Sequence, residues 1–217
     1  MKYDAVVFDL DGTILSTLDD LADSLNYALR KNGLPERTKD QVRQFVGNGI
    51  RKLMERGVPA GSAVETVDRV HADFTCCYRD HNADKTKPYD DVLDVMRALR
   101  EKGLKLAVVS NKADYAVKAL CERFFPELLD EAAGEIEGVP RKPAPDGVFA
   151  VVERMGVLPE RCVYVGDSDV DVLTARNSGM DCIAVDWGFR SRESLEQAGA
   201  DVIASTPWEL ADKILQE

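Results

Sequence analysis

Apolar residues in this chain fall into short runs that break off at polar clusters. Ala5-Val6-Val7-Phe8 is the first, a valine-rich stretch that reads as a buried strand, and Gly12 behind it allows a sharp backbone departure. Comparable runs at 104–109, 162–165, 182–185 and 201–204 are separated by segments with helical spacing. Val92, Val95, Met96 and Leu99 recur on one helix face before Gly103, and Val148, Val151, Val152 and Met155 do so before Gly156. Thr206-Pro207-Trp208-Glu209 reads as a capping box opening a last helix. Strands alternating with helices predict an α/β fold, a doubly wound parallel sheet with a Rossmann-like core.

One stretch breaks the alternation. From about Leu15 to His81 the pattern is helical throughout: Leu18 to Lys31 closed by Gly33, a second helix opened by the capping box Thr38-Lys39-Asp40-Gln41, and a long one from about Ala63 to Arg79. That is too much chain for one crossover helix. It predicts an all-helical domain at 16–87 inserted into a core built from 1–15 and 88–217, with linkers near Ser16-Thr17 and Lys85-Thr86-Lys87-Pro88. Its start directly behind an acidic turn suggests a movable cap over a site.

The strand ends carry the candidate chemistry. The first run ends in Asp9-Leu10-Asp11-Gly12, the second in Ser110-Asn111-Lys112, and the third in Gly166-Asp167-Ser168-Asp169-Val170-Asp171. In a parallel sheet these ends share one edge, the edge at which open α/β sheets bind ligands. Any strand must be followed by something polar, so the joint pattern is what counts. Carboxylates gathered without histidine or cysteine suit a hard cation such as Mg²⁺, with Asp9 and Asp167 as candidate ligands. A carboxylate can also attack phosphorus to give an aspartyl-phosphate. Asp11, two residues on from Asp9, could serve as acid and base. Ser110, Asn111 and Lys142, the last held in the stiff segment Arg141-Lys142-Pro143-Ala144-Pro145, offer a hydroxyl, an amide and an ammonium to a phosphoryl group.

Charge narrows the partners. Among 217 residues, 28 Lys and Arg against 39 Asp and Glu leave a net −11, with no basic block, which argues against nucleic acid. No apolar stretch is long enough to span a bilayer and the N-terminus shows no signal core, so membrane association is not expected and a cytoplasmic location is. The five cysteines include no C-x-x-C pair, as expected of reduced thiols. His71 and His81 fall in a polar helical stretch and are expected at the surface, which argues against a histidine-dependent hydrolase.

These residues together resemble the haloacid dehalogenase-like superfamily of phosphotransferases. FDLDGT, VVSNK, RKPAP and VGDSDVD are similar to its four motifs, in order and over nearly the whole chain. The resemblance implies Asp9 as nucleophile, Asp11 as general acid and base, Ser110 and Lys142 as phosphate holders, and Asp167 as a magnesium ligand. The Asp11 backbone carbonyl would complete the protein's share of the metal shell, with Asp171 in support. The helical insert resembles the cap of the phosphoglycolate phosphatase and β-phosphoglucomutase branch, and Val46–Leu53 is most similar to phosphoglycolate phosphatases. Gly47 and Gly49 form either a turn between helices or a substrate loop; in the second case Arg51 or Lys52 would meet a substrate carboxylate. The expected activity is hydrolysis of a small phosphate monoester, 2-phosphoglycolate foremost, by a monomer or homodimer. A sugar-phosphate mutase or a pyrophosphatase could use the same site. A non-catalytic module on a degenerate enzyme fold would lack a central group, and all are present.

Overall fold

The computed structural model describes residues 2–216. Among them are eight strands: β1 (Ala5–Phe8), β2 (Leu15–Ser16), β3 (Lys87–Pro88), β4 (Lys105–Ala113), β5 (Glu131–Glu135), β6 (Cys162–Gly166), β7 (Asp181–Val185) and β8 (Ile203–Ala204). Ten α-helices accompany them: α1 (Leu18–Lys31), α2 (Lys39–Phe45), α3 (Ile50–Gly57), α4 (Val64–His81), α5 (Val92–Glu101), α6 (Asp114–Phe124), α7 (Asp146–Met155), α8 (Asp169–Ser178), α9 (Arg192–Gln197) and α10 (Pro207–Leu215). The chain divides into two compact units, Met1–Leu15 with Pro88–Glu217, and Ser16–Lys87.

The first unit holds a six-stranded sheet in the order β5-β4-β1-β6-β7-β8. Every pairing in it is parallel. β1 and β6 lie at its centre, and their runs Ala5-Val6-Val7-Phe8 and Cys162-Val163-Tyr164-Val165 are fully buried, as strands covered on both faces must be. Ala5, Val7, Ala107, Val109 and Tyr164 face one way and pack under Val148, Val151 and Val152 of α7 and Ala175 of α8. On the second face α5 packs against β4 and α10. From β1 the chain passes to β4 on one side, and β6 later joins β1 on the other, so the strand order reverses at β1, where open α/β sheets form a ligand crevice.

Register sets the site. Phe8 is level with both Val108 and Val165. The next residues of all three strands therefore emerge together at the carboxyl edge. Asp9 remains anchored in the ladder by a 2.8 Å bond from its N–H to the Val165 carbonyl. The polar residues Ser110, Asn111 and Lys112 do not follow β4, as the apolar run suggested, but belong to it, where its register against β5 shifts between Val109 and Ala113.

Helix signals in the second unit are realised locally. Thr38 caps α2 in a full capping box with Gln41, and Gly47 and Gly49, with φ of 118° and 82°, turn the chain into α3. Glu209 departs from its expected box: Thr206 accepts from the Glu209 N–H, but the Glu209 carboxylate reaches the N–H of Ser205 instead of that of Thr206. β5 escapes sequence reading because Glu-Ala-Ala-Gly-Glu has no β-branched or aromatic residue; pairing with β4 makes it a strand.

Two leucines test this account of the core. Leu106 in β4 is 0% exposed and Leu158, ahead of β6, is 61% exposed. Leu106→Ala should cost about 2–5 kcal/mol in urea unfolding. Leu158→Ala should stay within about 0.5 kcal/mol of the parent.

Candidate active site

The site lies wholly in the first unit. Beyond β1 the chain folds into a tight loop, with the Gly12 N–H donating to Leu15 O and the N–H groups of Ile14 and Leu15 to Leu10 O. Gly12 sits at φ +90°, and a Cβ on it would stand 2.4 Å from Oδ2 of Asp167. Gly188 and Gly166 are equally confined, the first against Asp167 and Gly12 O, the second against the Asp171 carboxyl group. Three glycines thus let backbone close around two buried acids.

Lys142 stands at the centre. Its Nζ donates to Oδ1 of Asp9 at 2.8 Å, to Oδ1 of Asp171 at 2.8 Å and to the Tyr164 hydroxyl at 2.9 Å. Burial alone would lower the pKa of the ammonium, but Asp171 and Asp9 outweigh it and hold Lys142 well above the ordinary lysine value. Asp171 performs two tasks. Its Oδ2 accepts from the N–H and hydroxyl of Ser168, capping α8, while Oδ1 takes Lys142.

Asp9 and Asp167 are the strained partners in charge. Burial first, with Asp171 adding repulsion against the pull of Lys142, pushes the Asp9 carboxyl up to about 7. Asp167 stands well above its ordinary value for the same first cause, reinforced by Asp171 and Asp9. It accepts from Oγ1 of Thr13 at 3.2 Å and from the Phe189 N–H at 2.6 Å. Oxygens of Asp9, Asp167 and Asp171 lie within 4.8 Å of one another. Two of the three carboxylates, Asp9 and Asp171, share one buried ammonium, Asp167 has none at hydrogen-bond distance among the described residues, and every candidate ligand atom is oxygen. That set fits a hard divalent cation, and since Asp171 already serves Lys142 and Ser168, Asp9 and Asp167 are the residues that would hold it.

The remaining candidates separate in role. Ser110 is buried and its Oγ accepts from the Lys112 N–H, leaving its own proton to donate. The Asn111 Nδ2 donates to the Lys142 carbonyl at 3.0 Å and so braces the lysine segment. Asp11 is outside the three-acid group; both its oxygens face Nζ of Lys112, at 2.8 and 3.1 Å. In the second unit Arg51 pairs with Asp68 and Glu55, and Lys52 with Glu55.

Sequence reasoning left three contributors out of the site. Lys112 figures there only as part of the polar strand end Ser110-Asn111-Lys112, with no role given to it, though its place directly after a buried strand run is a usable signal. The Phe189 N–H is a backbone donor that no side-chain pattern reveals. Trp187 donates its indole N–H to Thr13 O at 3.0 Å and steadies the first loop.

The haloacid dehalogenase-like hydrolase family model matches residues 6–185, a span that includes Asp9, Asp11, Ser110, Lys112, Lys142, Asp167 and Asp171 and ends just short of Trp187 and Phe189. The chain belongs to that family. A phosphoglycolate phosphatase from Caulobacter vibrioides is 36% identical over 205 residues, covering 91% of this chain and 85% of the relative. One from Mesorhizobium japonicum is 32% identical over 223 residues, covering 100% of this chain and 98% of its own. The crystal structure of a candidate phosphoglycolate phosphatase from Lactobacillus delbrueckii subsp. bulgaricus superposes with a TM-score of 0.94 at 43% identity over the whole of both chains. As a haloacid dehalogenase-like hydrolase with such relatives, the chain is a phosphatase, a phosphoric monoester hydrolase.

Cation binding can be read without turnover. A carboxyl whose pKa rises on folding stabilises the fold fully below its unfolded value, and that contribution is lost as pH climbs, for Asp9 from about 4 to about 7. A divalent cation favours the ionised acids, so magnesium chloride should raise Tm more at about pH 8 than at about pH 5. An equal shift at both, or none in the metal-stripped protein, contradicts the assignment.

Proposed function

We propose that this phosphatase hydrolyses small phosphate monoesters through an aspartyl-phosphate on Asp9, with magnesium as its cation and 2-phosphoglycolate as its principal substrate. The observation that carries the reading is the buried group of Asp9, Lys142, Asp171 and Asp167 at the carboxyl edge of β1 and β6, with Asp11 beside it. The names of the curated relatives support the substrate.

An Asp9 carboxylate oxygen attacks phosphorus, the P–O bond to the ester oxygen breaks, and the departing alkoxide takes a proton from Asp11. A water then gives its proton to Asp11 and attacks the same phosphorus, so that the P–O bond to Asp9 breaks and inorganic phosphate leaves. Lys142 holds Asp9 and places fixed positive charge beside the phosphoryl group, while the Ser110 hydroxyl supplies a donor toward its oxygens. Bound magnesium would neutralise the acids and polarise a phosphoryl oxygen.

The helical unit is read as the cap. Arg51 and Lys52, the candidates for a substrate carboxylate, are held in exposed ion pairs with Asp68 and Glu55 of their own unit.

Asp9→Asn, which keeps the side-chain shape, should lower kcat by about 10³-fold or more while leaving the circular dichroism spectrum unchanged. Undiminished turnover would remove Asp9 as nucleophile. In a panel of phosphoglycolate, sugar phosphates, nucleotides and pyrophosphate, the highest kcat/KM is expected for phosphoglycolate. An isomerised sugar phosphate without phosphate release would make the enzyme a mutase, and fastest cleavage of pyrophosphate would overturn the monoester assignment.

A further inference from the structure

The site contains two buried lysines, and the reaction as derived employs one. Lys112 is 5% exposed, yet its ammonium does not join the cluster around Lys142. It sits instead on Asp11, with Nζ 2.8 Å from Oδ1 and 3.1 Å from Oδ2, a contact across 101 residues of chain. Burying a lysine is costly unless the ammonium is paired, so this placement needs a compensating partner, and the Asp11 carboxylate supplies it.

The backbone explains how the two meet. β4 lies parallel beside β1 with Val108 level with Phe8, so Asp11, three residues beyond Phe8, and Lys112, four beyond Val108, advance to the same height. The register shift of β4 between Val109 and Ala113 accommodates the difference. Two ties then fix residue 112 on the site: its N–H donates to the Ser110 hydroxyl at 3.3 Å, and its ammonium to Asp11.

Asp11 has need of such a restraint. It precedes Gly12 in a loop where its side chain is less enclosed than that of Asp9, and an unrestrained carboxylate would move among staggered rotamers. General acid–base catalysis depends on placing the proton within hydrogen-bond reach of the leaving oxygen.

We propose that Lys112 is the positioning residue for Asp11: it grips the carboxyl group through both oxygens, at 2.8 and 3.1 Å, and so fixes the orientation in which that group meets the leaving oxygen and then water. This inference rests on the acid–base role given to Asp11 above.

Phosphoryl transfer in a single turnover, followed by quenched flow on the magnesium-loaded enzyme, separates the possibilities. Phosphoglycolate leaves as an alkoxide that must be protonated; p-nitrophenyl phosphate releases a phenolate that does not. Asp11→Asn should slow the first by about 100-fold and the second far less. Lys112→Met should reproduce that selectivity, slowing the alkyl ester at least about tenfold with KM nearly unchanged, and Lys112→Arg should recover most of the rate. The double variant Lys112→Met with Asp11→Asn should be no slower than Asp11→Asn alone, because both act through one group. If Lys112→Met does not fold by circular dichroism, Lys112→Gln makes the same comparison.

Equal slowing of both esters by the Lys112 variant, or a double variant slowed by the product of the single effects, would overturn the positioning role while leaving Asp11 in place. Loss of the leaving-group dependence in Asp11→Asn itself would remove the acid–base assignment, and the inference with it.

Discussion

A single ammonium buried at the end of three strands organises this protein's chemistry. Lys142 Nζ is shared by Asp9 at the end of β1, Asp171 in the first turn of α8 and the hydroxyl of Tyr164 in β6. None of these groups could be buried alone without a large desolvation penalty. The arrangement is therefore mutually required: the lysine makes the acids tolerable, and the acids keep the lysine charged. Asn111 braces the segment that carries Lys142, and Asp171 caps the helix that carries itself, so the electrostatic centre is built into the secondary structure.

The same balance leaves negative charge in excess. Asp167 is enclosed by glycines and held by Thr13 and the Phe189 N–H, with no side-chain cation at hydrogen-bond distance among the described residues. Its carboxyl, like that of Asp9, is driven upward by burial. A site that strains two acids in this way is prepared for an added cation and an anionic substrate. In a chain of net charge −11, two buried ammonium groups, those of Lys112 and Lys142, stand at this strand edge, as the proposed receipt of a phosphate there requires.

Much of this was legible in the amino-acid order because strand ends in a parallel sheet announce themselves. Asp9, Ser110 and Asp167 each follow an apolar run, and register does the rest. Lys142 was legible through the prolines that stiffen its segment before α7. What escaped was whatever depends on a partner far along the chain or on backbone alone. Lys112 meets Asp11 only because β4 lies beside β1; Phe189 acts through its N–H; β5 exists only by pairing. Conversely, the glycine turn before α3 was visible, yet its sequence could not show that Arg51 and Lys52 are engaged by acids of their own unit.

The central claim is that Asp9, kept in place by Lys142, forms the covalent bond to phosphorus. The direct measurement is acid quench during steady turnover, reduction with borohydride, and peptide mass spectrometry. An acyl phosphate on Asp9 is reduced to homoserine, so the account predicts homoserine at position 9 in samples quenched with substrate and not in those without. Homoserine at another aspartate, or none at any time of quench while phosphate is being released, would contradict it.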